Sequence, residues 1–120
     1  PVGAHRGDAA MLPVAADFFL QDGDRLAFGC QELVVIHTPG HTPGGVCFLL
    51  GRHLISGDTL FPGGPGATAT ALGNFPQIIE SIRSKLFTLP DDAAVLPGHG
   101  RGTTIGEERP HLQEWIDRGW

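Results

Sequence analysis

The 120-residue sequence predicts an α/β fold in which helices cover one face of a mostly antiparallel or mixed sheet. Three observations predict it. Short apolar runs rich in β-branched residues recur between glycine and proline turns, the signature of strands. Residues 75–89 instead carry apolar side chains at steps of three and four, the period of a helix with one buried face. Glycine and proline, 18 and 10 in number, fall between the apolar runs, which makes the connections sharp turns rather than low-complexity linker. The length suits a single domain over residues 1–120 with one core.

Taken in order, residues 6–12 read as a short helix closed by Pro13, and residues 17–21 as an aromatic strand. Asp22-Gly23-Asp24 is a turn. Residues 25–28 and 32–36 are two strands joined at Gly29, the second with a run of Val34, Val35 and Ile36 that suits a strand covered on both faces. A rigid loop, 38–45, precedes a strand at 46–50. Gly51 and Arg52 turn the chain into its hairpin partner, 53–56. Residues 61–73 show no period and are expected to form a long loop.

Asn74 is a suitable N-cap for the helix at 75–89, which Pro90 stops. Residues 93–96 form a short apolar strand. A second helix lies within 104–120, with Leu112, Trp115 and Ile116 on one side and Pro110 in its first turn.

Composition excludes several classes of function. The net charge is −5 and the eight basic residues are scattered, so there is no nucleic-acid footprint. No apolar stretch approaches the length of a membrane span, and no signal peptide is visible. Cys30 and Cys47 are too few for a disulfide framework; both are expected to be reduced and buried, which fits a cytoplasmic location. The chain begins at Pro1 and its one methionine is Met11, so it is expected to be a portion of something longer.

Three segments share one design, in which an apolar strand runs into a glycine-rich turn that carries a ligand-type side chain. They hold His41, Asp58 and His99. Imidazole and carboxylate suit zinc, iron or manganese, and three such groups brought together make an open site of the catalytic kind. Singly, each has a plainer reading. A histidine beside glycine is most often merely exposed, and Asp58 could close an Asx-turn on its own backbone. His37 is expected to be structural or to sit behind the ligands, and His53 to be exposed. His111 and Trp115 read as a packing pair, and Trp120 as packed, with a place at the substrate mouth as the alternative.

The wording of the segments resembles the metallo-β-lactamase superfamily, in particular its glyoxalase II-like hydrolase branch. The matching phrases are His37-Thr38-Pro39-Gly40-His41-Thr42-Pro43-Gly44, Ser56-Gly57-Asp58-Thr59-Leu60-Phe61 and Leu96-Pro97-Gly98-His99-Gly100. Thr103-Thr104-Ile105-Gly106-Glu107-Glu108-Arg109 follows closely. The resemblance implies the C-terminal half of an αββα sandwich. It also implies a pair of zinc ions, with iron or manganese as alternatives. His41 would bind the first metal, His99 the second, and Asp58 would bridge both and so take part in catalysis. His37, Thr42 and Thr59 would stand behind the ligands or shape the substrate loop. A hydroxide held by the metals would attack an ester, thioester or similar small acyl substrate.

The resemblance is incomplete in two places. The family's opening His-x-His-x-Asp-His motif, which supplies the remaining ligands, does not occur in this sequence and is implied to lie upstream. The helical extension that binds glutathione in glyoxalase II is also missing after His99. Two other readings therefore stand beside the hydrolase: a remnant that binds no metal tightly, and an iron-dependent persulfide dioxygenase. Without its other half the chain would leave apolar faces uncovered, and a homo-oligomer is expected to cover them.

Overall fold

The computed structural model describes every residue, Pro1–Trp120. Strand β1 (Gly3–His5) leads into a short helix, α1 (Arg6–Ala9), and β2 (Phe18–Leu20) returns parallel to β1. Strands β3 (Arg25–Phe28), β4 (Gln31–His37), β5 (Val46–Leu50) and β6 (His53–Gly57) form an antiparallel meander. A small hairpin, β7 (Leu60–Phe61) and β8 (Gly64–Pro65), precedes helix α2 (Phe75–Ser81). Strand β9 (Ala94–Pro97) then joins β6 in parallel, and β10 (Thr103–Thr104) pairs antiparallel on its outer edge. Helix α3 (Ile105–Glu108), a 3₁₀ turn at Arg109–His111 and helix α4 (Leu112–Arg118) complete the chain. The central sheet is thus six-stranded and mixed, in the order β10-β9-β6-β5-β4-β3.

Several expectations need correction. The first helix is α-helical only to Ala9. Met11 and Leu12 bond back to Asp8 and Ala9 at i−3 spacing, a tighter winding that runs into Pro13. The stretch expected as one long loop contains the β7–β8 hairpin. The helix from Phe75 leaves α-geometry at Ile82, and Ile82–Leu86 forms a π-helical turn with Phe87 N–H donating to the Ile82 carbonyl. The wider turn swings Phe87 back toward the core, where its ring meets Trp115 at 6.0 Å. His111 Nδ1 lies 3.2 Å from Glu114 Oε2. Ile116 is exposed, Cys30 is exposed on a turn, and Trp120 is exposed rather than packed.

One face of the sheet carries the core. Cys47, Leu54 and Val95 meet Ile78, Ile82 and Leu86 from the helical layer, and Trp115 closes the cluster from α4. On the opposite face, cross-strand pairing lines up Val35, Phe48, Ile55 and Leu96. Val35 is fully buried, whereas Ile55 and Leu96 are 39% and 45% exposed, so the row opens to solvent toward β9. No helix is long and apolar enough to cross a membrane.

Topology places the site. Strands β4, β6 and β9 run in one direction, because β5 is antiparallel to both β4 and β6 and β9 is parallel to β6. The loops after their C-terminal ends therefore gather along one edge of the sheet. His41, Asp58 and His99 each lie just past one of these ends.

Candidate metal centre

The loop after β4 is held from two sides. Gly40 has φ +142° and lies against Ile78 of α2, where a Cβ would stand 2.3 Å from the isoleucine side chain, so only glycine fits. Asn74 caps α2 through Gln77 N–H, and its own N–H donates to the Gly40 carbonyl. On the other side, the Asp8 carboxylate of α1 accepts from the Thr42 hydroxyl at 2.5 Å and from Gly44 N–H at 2.7 Å. His37 Nε2–H donates to the Pro43 carbonyl at 3.0 Å, closing the loop on itself.

A buried polar contact joins this loop to the next. The hydroxyls of Thr38 and Thr59 are 3.1 Å apart, beside the thiol of Cys47. Burial pushes the Cys47 thiol up from its ordinary value, and its contacts with Thr38 and Thr59 offset part of that rise. The thiol is sealed beneath the site as a small hydrophobe. Gly98 N–H donates to the Gly57 carbonyl at 2.7 Å, tying the loop of His99 to that of Asp58.

These ties bring the three ligand-type side chains together. His41 Nε2 is 3.5 Å from Asp58 Oδ2, and His99 Nε2 is 3.5 Å from Asp58 Oδ1. The carboxylate thus offers one oxygen to each imidazole. It makes no Asx-turn bond to its own backbone among the hydrogen bonds of the chain. Gly66 and Gly98 make room for it: a Cβ at Gly66 would overlap the Asp58 carbonyl, and one at Gly98 would stand 3.0 Å from Oδ1.

The two histidines differ in support. His41 Nδ1–H donates to the Ala67 carbonyl at 2.6 Å, which fixes the tautomer and leaves the Nε2 lone pair facing Asp58. His99 is 76% exposed, and apart from Asp58 it has the tilted Phe61 ring beside it, 4.7 Å away. All three residues line an open cavity of about 350 Å³ walled by Phe61, the 62–67 segment, Arg118 and Trp120. His37, Thr42 and Thr59 are not in this wall; they brace the loops from behind.

The donor set fits a metal pair in part. Two ligands about 2.1 Å from one cation at a tetrahedral angle stand roughly 3.4 Å apart. Each His–carboxylate pair matches that spacing. No three His, Cys, Asp or Glu side chains converge on one point; the two close approaches, His41–Asp58 and His99–Asp58, share one carboxylate. No local pattern marks Arg118 or the Ala67 carbonyl as part of the site, and Trp120 is legible there only as an alternative to packing. They reach the cavity only through the packing of α4 and the 62–67 segment, which no local pattern encodes.

The Metallo-beta-lactamase superfamily profile matches residues 3–99. Hydroxyacylglutathione hydrolase GloC of Haemophilus influenzae is 40% identical over 94 residues, 77% of this chain and 44% of that protein. ETHE1 from Myxococcus xanthus superposes with a TM-score of 0.83 at 35% identity, covering 92% of this chain and 49% of that one. TTHA1623 in a di-iron-bound form superposes with a TM-score of 0.78 at 34% identity, covering 91% and 62%. The chain spans less than half the length of the first curated relatives it matches. With a profile match over most of its residues and close agreement in fold with solved members, the chain belongs to the metallo-beta-lactamase superfamily.

Proposed function

We propose that the protein is a metal-dependent hydrolase of the glyoxalase II-like type, acting on an ester, thioester or similar small acyl compound. One observation carries the reading: His41 and His99 address opposite oxygens of Asp58 at equal distances of 3.5 Å. Family membership supports it, as does the similarity to a hydroxyacylglutathione hydrolase. In this reading His41, Asp58 and His99 would hold the metal, with Asp58 facing both histidines, and zinc is the expected ion. When bound, such a pair would activate water near neutral pH and polarise the acyl carbonyl.

The residues of this chain have definite tasks in that scheme. Asp58 would help to hold the metals and would offset part of their positive charge. His41 arrives preoriented by the Ala67 carbonyl. Thr38 and Thr59 keep the two ligand loops in register, and Phe61 supplies an apolar wall beside His99. A catalytic centre takes three protein donors per metal, so the reading requires further donors from outside these 120 residues. The partners in this scheme are a small acyl substrate and, for these residues alone, a second copy over the open face of the sheet.

The contrast between a braced His41 and an unbraced His99 favours one alternative, occupancy of the His41 side alone. That is the arrangement an iron-dependent persulfide dioxygenase would use. Metal analysis and turnover of the full-length protein separate the two. The hydrolase reading expects two ions per chain and thioester cleavage abolished by chelation. A single iron with oxygen uptake on a persulfide would replace it.

A further inference from the structure

Arg118 is the one permanently cationic side chain in the wall of the Asp58 cavity. Its guanidinium is held on three sides. Nη2 donates to the Gly63 carbonyl at 2.9 Å, Nε donates to the Trp120 carbonyl at 2.6 Å, and the Trp120 ring lies 3.8 Å from Cζ. The guanidinium also comes close to the backbone at Gly64, where a Cβ would stand 2.6 Å from Nη2. Nη1 has no hydrogen-bond partner in the chain.

A fixed, half-desolvated guanidinium with a free edge is the donor geometry that suits a carboxylate. Its ordering cost is already met by contacts within the protein, so little freedom is lost when an anion arrives. It shares the cavity with Asp58, in a chain whose net charge is −5, which makes this spot a local exception to the acidic character of the molecule.

We propose that Arg118, backed by Trp120, is the anion-recognising residue of this cavity, and that the preferred acyl substrates carry a carboxylate or comparable anionic group. The inference rests on the hydrolase reading for the word substrate, but the binding preference is independent of turnover.

The test uses full-length, metal-loaded protein with a matched pair of N-acetylcysteamine thioesters, succinyl and butyryl. A third compound, the acetyl thioester of 3-mercaptopropionate, moves the charge to the thiol side. The thioether analogues of all three serve as non-hydrolysable ligands in calorimetry. The wild type is expected to favour the succinyl or the mercaptopropionate compound over the neutral one by roughly tenfold or more in kcat/KM, mainly through KM. Arg118→Gln should bring that ratio near one, and Arg118→Lys should retain part of it. The thioethers should show the same preference in binding. Equal handling of charged and neutral compounds by the wild type overturns the inference, as does a uniform loss with both in Arg118→Gln. Charge-selective thioether binding without any thioester cleavage would leave the anion site standing and remove the hydrolase reading instead.

Discussion

The carboxylate of Asp8 binds the hydroxyl of Thr42 and, through its other oxygen, the backbone N–H of Gly44. This one side chain, on a helix of four residues, clamps the loop that carries His41. The fit is close, since a Cβ on Gly7 would stand 2.8 Å from Gly44 N.

Two hydrogen bonds to a half-buried carboxylate predict a measurable loss on removal. Asp8→Ala should cost about 2 kcal/mol of stability and loosen the metal at the His41 side, whereas Asp8→Asn should retain part of both. Urea unfolding with a parallel metal titration reads the two effects. Unchanged metal affinity in Asp8→Ala would show that the clamp does not aim the ligand.

The ring of His5 stacks on that of His37, with centroids 3.9 Å apart and planes within 9°. Burial lowers the His5 pKa below 6.5, and the neighbouring His37 adds to the shift; Asp8 opposes it, and Lys85 contributes a further small lowering. The sign follows from linkage. In the window below pH 6.5 the unfolded chain binds a proton at this position that the folded chain refuses, so stability falls as pH drops through it. His5→Gln should flatten that part of the profile, read as thermal midpoint against pH between about 5 and 7. A slope unchanged by the substitution would place the effect on another group.

The open row on the sheet predicts the behaviour of these residues in isolation. Ile55 and Leu96 pair side by side and are both more than a third exposed. An apolar strip of this kind seeks a cover, and a second copy is the available one. Sedimentation of the 120-residue chain should show concentration-dependent association, reduced by the double substitution Ile55→Lys, Leu96→Lys. A monomer at all concentrations would refute this.

Much of this molecule could be read before its coordinates. The strand at Val46–Leu50 is reproduced to the residue, and the Asn74 cap starts its helix where expected, because alternation and capping are local properties. Three strand-end turns with ligand-type side chains were also legible, and they do meet. What local patterns could not carry was tertiary. The π-helical turn after Ser81 leads to Phe87, whose ring meets Trp115 from a distant part of the sequence. The β7–β8 hairpin has too few residues for a period to register. Trp120 reads either as a packing residue or as one at the substrate mouth; it stands at the cavity mouth, because its position depends on where α4 ends and not on its neighbours in sequence.

Metal stoichiometry of the full-length protein and its Asp58 variant is the most direct trial of the bridging carboxylate. Plasma mass spectrometry should find two ions per chain in the wild type, about one in His41→Ala or His99→Ala, and close to none in Asp58→Ala. An Asp58→Ala protein that folds and keeps the wild-type complement of metal would contradict the account.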